Sequence, residues 1–248
     1  MSQLVLPSVM GHRGAAALAP ENTLISMRTA ADQGAEWIEF DVMLTGDDVP
    51  VMFHDDKLER TTGQAGLMAE TSFEATRGLD AGAWFGADFA GEPLPSLRDA
   101  VSLLQSLKVR ANIEIKPSAG REEITGEAVM KCLTEIWPSD VEPPLISSFK
   151  PACLEAAQEW APDWPRSLLV LAIEDDWHEI MQRYGCLGLH CHWERLQRGQ
   201  IDPVKDAGYV TACFTVNEPA EAVKLWEWGV DCMISDDPAR ILAALRSR

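Results

Sequence analysis

Residues 37–44 read WIEFDVML, and residues 112–117 read NIEIKP. Each is a short β-rich run with charges set into it at every second place. A strand sends successive side chains to opposite faces, so Ile38, Phe40 and Val42 share one face while Glu39 and Asp41 share the other. In the second run Ile113 and Ile115 stand opposite Asn112, Glu114 and Lys116. Strands of a parallel sheet are covered on both sides and normally read as almost continuous apolar runs. Two strands with one charged face each therefore point those faces into the interior of a sheet closed on itself.

The rest of the chain supports that closure. β-like runs (LPSVMGH, WIEFDVML, VPVMFH, RANIEIK, PPLISSF, RSLLVLA, CLGLHCH, YVTACFTV, VDCMIS) alternate with helical patterns such as SLRDAVSLLQSL, PACLEAAQEWA and DPARILAALRSR. Such alternation implies right-handed βαβ units and a parallel sheet. With WIEFDVML and VPVMFH joined by the turn TGDD at one position, the strands number eight. The expected fold is a (β/α)8 barrel formed by a single domain over 1–248; a doubly wound open sheet is the other arrangement compatible with the pattern. Residues 55–95 break the rhythm. They are rich in glycine and acidic residues and show no strand, which predicts a small insertion after the second strand, lying over the C-terminal mouth of the barrel.

Composition narrows the function. The net charge of −18 disfavours nucleic acid and anionic membrane surfaces as partners. An anionic small molecule would have to be met by local positive charge. The six cysteines form no C-x-x-C pair and sit in apolar runs, as expected of free thiols in the cytoplasm. No stretch has the length and apolarity of a membrane span, and the N-terminus does not resemble a secretion signal.

An unpaired carboxylate in a barrel interior would cost several kcal/mol. A hard divalent cation ligated by Glu39, Asp41 and Glu114 resolves that cost. Structural ion pairs, Glu114 with Lys116 and Asp41 with Arg13, are the competing resolution, although the carboxylates outnumber the nearby cations. His12 and His54 end the first strand and VPVMFH, at the barrel face where chemistry is done, and two imidazoles suit proton transfer to and from an ester. Arg13 offers a fork for two anionic oxygens and Lys116 a point charge. Phe214, near the end of YVTACFTV, is a core residue or an apolar substrate wall. His190 and His192 share a strand face but have no carboxylate beside them, so a core or lining role is expected. Motifs for nucleotide binding and serine hydrolysis are absent.

The segments HRG, PENT, EFD, FHDDKLERTTG, GEPLPSL, NIEIKP, SSF, TVN and GVDCMISDDP together resemble, in that order and over nearly the whole chain, the glycerophosphodiester phosphodiesterases, most closely the cytoplasmic bacterial form. The resemblance implies hydrolysis of glycerophosphodiesters to sn-glycerol 3-phosphate and an alcohol, with magnesium or calcium as cofactor. It implies catalytic roles for His12 and His54, metal ligation by Glu39, Asp41 and Glu114, phosphate contacts from Arg13 and Lys116, and a supporting role for Glu21. Relatives commonly carry Trp or Tyr where this chain has Phe214, which bears on substrate preference. A glycerol hydroxyl would attack phosphorus to give a cyclic phosphate that water then opens. The recognised contacts all serve the phosphate and glycerol, so weak discrimination of the leaving alcohol is expected. Two alternatives stay open: a lysophospholipid or phosphoinositide phosphodiesterase of the same fold, and a non-catalytic glycerophosphodiester-binding protein. Either a monomer or a homodimer is compatible with the sequence.

Overall fold

In the computed structural model, which describes residues 4–247, each of the nine β-like runs becomes a strand. In chain order they are β1 (Val9–Gly11), β2 (Trp37–Leu44), β3 (Pro50–Met52), β4 (Arg110–Ile115), β5 (Leu145–Ser148), β6 (Arg166–Val170), β7 (Gly188–His192), β8 (Val210–Phe214) and β9 (Cys232–Ser235). The hydrogen-bonded order is β1-β9-β8-β7-β6-β5-β4-β2-β3, and β1 also pairs with β2, so the sheet closes. Every pairing is parallel except β2 with β3, where Val42 faces Met52 in an antiparallel ladder. The barrel is therefore the eight-stranded parallel one expected, with β3 folded back on β2, and the open sheet is set aside.

The helices are α1 (Leu24–Asp32), α2 (Glu59–Thr62), α3 (Phe73–Thr76), α4 (Leu97–Leu107), α5 (Glu122–Ile136), α6 (Pro151–Trp160), α7 (Trp177–Arg183), α8 (Ile201–Asp206), α9 (Pro219–Glu227) and α10 (Pro238–Arg246). Their starts are written locally. Thr23 accepts a hydrogen bond from the Ser26 amide, Ser96 and Asp99 form a reciprocal capping box, and α6, α9 and α10 open on proline, whose missing N–H is no loss there. Ile38, Phe40, Val42, Ile113 and Ile115 pack outward on Met27 and Ala30 of α1, Leu97 and Leu104 of α4 and Val129 and Leu133 of α5. That outward packing obliges the alternate residues Glu39, Asp41, Asn112 and Glu114 to face inward. Below them Leu4, Met10, Trp37, Leu145, Ala212 and Cys232 form an apolar plug.

The six thiols are free; five are buried and Cys132 is partly so. Burial pushes Cys153 and Cys186 up to about 12. No helix among the described residues is long and apolar enough to cross a membrane. Residues 55–95 hold the short helices α2 and α3 and no strand. Leu58, Met68, Ala81 and Leu94 dock on Met43, Val51 and Phe53.

The turn after β1 is held by close backbone approach. Gly14 has φ +91, and a Cβ there would lie 2.6 Å from the Ser26 carbonyl carbon. Ser26 in turn donates its hydroxyl to the Arg13 carbonyl and accepts the Ala15 amide, both at 2.9 Å. Gly14→Ala is expected to lose roughly 2–4 kcal/mol of stability from left-handed strain and overpacking. Urea denaturation should show a lower midpoint at unchanged slope, and a wild-type midpoint would contradict this role for the glycine.

Candidate active site

Strand ends deliver the functional side chains to one place. His12 and Arg13 follow β1, Glu39 and Asp41 lie in β2, His54 follows β3, Glu114 and Lys116 end and follow β4, and Phe214 ends β8. All eight line a single pocket of about 300 Å³, together with Asn112, Phe149, Leu169, Leu171, Thr215 and Ile234. None of residues 55–95 belongs to that lining. A second cavity, about 290 Å³, opens elsewhere beside Leu4, Arg110, Glu142 and Arg166. Its cations are already engaged: Arg110 with Glu142, and Arg166 with the carbonyls of Tyr184, Ala161 and Trp164.

The parallel register of β2 and β4 sets Asp41 beside Glu114 and Glu39 beside Asn112. Oxygens of Glu39, Asp41 and Glu114 come within 4.8 Å of one another, and all three residues are buried. Cations are present too. Arg13 Nε lies 3.3 Å from Asp41, and Lys116 Nζ lies 3.7 Å from Asp41 and 3.9 Å from Glu114. The Arg13 amide donates to Glu39 at 3.0 Å. The two resolutions considered from sequence therefore coexist in space, and the charges decide between them. Burial disfavours the Asp41 charge, but Arg13, Lys116 and His54, with a hydrogen bond from Asn22, outweigh it and hold this carboxyl well below the usual range. Burial followed by repulsion from Asp41 and Glu114 pushes Glu39 far up, and burial with repulsion from Asp41 pushes Glu114 up to about 8. The ion pairs satisfy one carboxylate of three. The side-chain amide of Asn112, buried at the same place, has neither its nitrogen nor its oxygen paired. This donor set, acidic oxygens undercompensated by the protein's own cations, fits a hard divalent ion.

Each histidine at the mouth is oriented by a carboxylate. His12 Nδ1 lies 2.6 Å from Asp236, which also accepts from the Asn217 side chain at 2.6 Å. His54 Nδ1 lies 2.5 Å from Asp55. A carboxylate partner favours the proton on Nδ1 and leaves Nε2 for other work. Burial lowers the His54 pKa even though Asp41 attracts its charge. Hydrogen bonds from Arg60 and His54 overcome burial and hold Asp55 at about 2, so it stays ionised at neutral pH.

The PENT segment reaches the same network. Glu21 accepts from Arg13 at 2.7 Å, which gives its supporting role a concrete form. Asn22, at φ 53, donates its side-chain amide to the Asp41 carboxylate at 2.9 Å and accepts the Asp41 backbone amide on its side-chain oxygen at 3.1 Å. Phe214 meets Phe149 and His192 edge to face, both with centroids 5.8 Å apart, and contributes to the apolar part of the lining. His190 is fully buried, with both ring nitrogens unpaired and burial lowering its pKa to about 3, so it is a neutral core residue. Asp55, Arg60, Asp236 and Asn217 were not singled out from sequence, and Asn112 was placed on the inward face without a role of its own. Asp55, Asn217 and Asp236 carried only the signal of closely following a strand, which many acidic and amide residues of this chain share, and Arg60, in α2, carried none.

The sequence pattern of the Glycerophosphoryl diester phosphodiesterase family matches residues 12–240. A glycerophosphodiester phosphodiesterase of Caldanaerobacter subterraneus subsp. tengcongensis is 31% identical over 239 residues, covering 96% of this chain and 97% of its own. Among solved structures, an Oleispira antarctica phosphodiesterase in complex with the product sn-glycerol-3-phosphate superposes with TM-score 0.94 at 40% identity and 97% coverage of both chains. A glycerophosphodiester phosphodiesterase from Agrobacterium tumefaciens superposes with TM-score 0.79 at 24% identity, covering 96% of this chain and 100% of that one, a likeness of fold.

The raised carboxyls carry a pH signature. In cation-free protein, folded Glu39 and Glu114 keep protons that the unfolded chain releases near 4.5. Their stabilising contribution is whole below that value and is lost as pH rises toward about 8. Asp41, shifted the other way, contributes its stability above the ordinary carboxylate range and loses it only as the pH falls into acid, so its share is constant across this window. Chelator-treated protein is expected to melt at a lower temperature at about pH 9 than at about pH 6, and Glu114→Gln should flatten the slope. Calorimetry at both pH values checks this; a wild-type melting temperature that does not fall would refute it.

Proposed function

The chain belongs to the glycerophosphoryl diester phosphodiesterase family, and on that premise we propose that it hydrolyses water-soluble glycerophosphodiesters to sn-glycerol 3-phosphate and an alcohol. In this reading magnesium or calcium is held by Glu39, Asp41 and Glu114, while His12 and His54 transfer protons. The observation that carries the reading is the convergence on one pocket of two carboxylate-oriented histidines, a buried acidic triad and the cations Arg13 and Lys116.

When bound, the divalent ion neutralises charge that develops on the phosphate oxygens. Arg13 has Nη1 on Glu21 and Nε toward Asp41, which leaves its Nη2 donors for a non-bridging phosphate oxygen, with Lys116 as a second positive charge. One imidazole, unprotonated at Nε2, takes the proton of the attacking glycerol hydroxyl. The other, protonated, gives its Nε2 proton to the departing alcohol, and the roles reverse when water opens the cyclic phosphate. Asp55 and Asp236 stabilise whichever ring is cationic. Phe214 and Phe149 offer an apolar wall without hydrogen-bond selection, in keeping with a weakly discriminated leaving group. A cytoplasmic setting is part of the proposal, supported by the buried free thiols.

Purified protein is expected to release glycerol 3-phosphate from glycerophosphocholine, to stop in EDTA and to recover with magnesium or calcium. Retention of full activity in protein shown to be metal-free would overturn the metal reading. Faster cleavage of micellar lysophospholipid than of glycerophosphocholine would replace the substrate. His12→Ala and His54→Ala should each lower kcat by about 10²–10⁴ with metal affinity nearly intact, as measured by turnover and metal titration. Wild-type kcat with only KM raised would make the altered histidine a contact residue.

A further inference from the structure

The mouth of the barrel holds a charge network that the proposed reaction does not use directly, and it is centred on Arg60 in α2. The guanidinium binds two carboxylates at once. Nε donates to Asp55 Oδ2 at 2.5 Å and Nη2 to Asp55 Oδ1 at 3.0 Å. Toward Glu21, Nη1 donates to Oε2 and Nη2 to Oε1, both at 2.7 Å. All three guanidinium nitrogens are engaged, a geometry that lysine, a point charge on a flexible stem, does not reproduce.

Each of those carboxylates holds one working side chain of the pocket. Asp55 binds His54 Nδ1, and Glu21 binds Arg13 Nη1. A continuous path therefore runs His54–Asp55–Arg60–Glu21–Arg13, with both ends lining the pocket and Arg60 outside it. The Trp84 ring, also from the inserted segment, lies with its centroid 6.0 Å from the Arg60 guanidinium carbon. Arg60 is 44% exposed, so its removal leaves the apolar core untouched.

We propose that Arg60 is a positioning residue through which the 55–95 segment acts on catalysis: it clamps Asp55 and Glu21 so that His54 and Arg13 keep a fixed spacing about the substrate phosphate. This rests on the function proposed above for those two residues. Without the clamp, Asp55 is free to swing away from His54, and the imidazole loses both its orientation and its Nδ1–H tautomer. Partners of this kind typically change activity by about 10–100-fold when removed.

The test uses metal-loaded full-length enzyme and glycerophosphocholine. Arg60→Ala is expected to lower kcat by about 10–100-fold at an unchanged melting temperature. Arg60→Lys, which keeps the charge without the fork, is expected to recover little of that loss. In a His54→Ala background the same Arg60→Ala change should cost clearly less than in the wild type, because the part of the effect carried by His54 disappears and only the part carried through Glu21 to Arg13 remains. Nitrogen-15 spectra of histidine-labelled protein should show His54 passing from the Nδ1–H form to a mixture of tautomers, with His12 unmoved. A wild-type kcat in Arg60→Ala, full recovery by lysine, an equal loss in both backgrounds, or an unaltered His54 spectrum would each overturn the proposal. The spectra do not depend on turnover, so failure of the wild-type enzyme to cleave glycerophosphocholine would count against the proposed function and leave the clamp to be judged on His54 alone.

Discussion

Three carboxylates inside a closed sheet are the constraint around which this molecule is arranged. Glu39, Asp41 and Glu114 are buried where water cannot screen them, and their mutual repulsion has to be offset locally. Arg13 and Lys116 approach Asp41 closely enough to keep it ionised, but the same two cations do not neutralise Glu39 and Glu114 as well. The residual negative charge is what suits the site to a hard cation. It also accounts for the density of support around it, from the Arg13 amide on Glu39 to Asn22 on Asp41.

Support of the two histidines follows a different rule. His12 and His54 each bond a carboxylate through Nδ1, but the two carboxylates are secured in different ways. Asp236 sits at the end of β9 and is held by neutral hydrogen bonds: Asn217 donates its side-chain amide to the carboxylate, and the Asp236 amide donates back to Asn217. Asp55 lies at the start of the inserted segment and is held by the charge of Arg60. One histidine is thus fixed by the barrel itself and the other by the insertion. That division ties the segment to a histidine of the site although none of residues 55–95 lines the pocket.

Much of this was legible in the chain. Alternation of short apolar runs with longer amphipathic ones implied parallel strands, and the period-two placement of Glu39, Asp41 and Glu114 implied an interior acidic face. Both inferences depend only on local geometry, because a strand has no choice about which side chains share a face. His12, Arg13, His54, Lys116 and Phe214 could be picked out because strand ends of such barrels converge on one mouth. The expectation of an insertion lying over that mouth rested on length and composition alone. In the structure its apolar residues pack on the β2–β3 side, around Met43, Val51 and Phe53.

What the sequence by itself determined, then, is the barrel, the inward acid and the set of side chains gathered at one end. Which of those side chains touch was decided only by the tertiary structure. His12 and Asp236 are 224 residues apart and meet because β1 pairs with β9 as the sheet closes, a contact that no local spacing encodes. The same holds for Arg60, 39 residues from Glu21, whose fork finds two carboxylates because α2 is anchored through Leu58 beside β3. Periodicity is a property of a few consecutive residues, whereas hydrogen-bond partners and shifted pKa values depend on distances in space, and those exist only once the strands have closed around the acidic core.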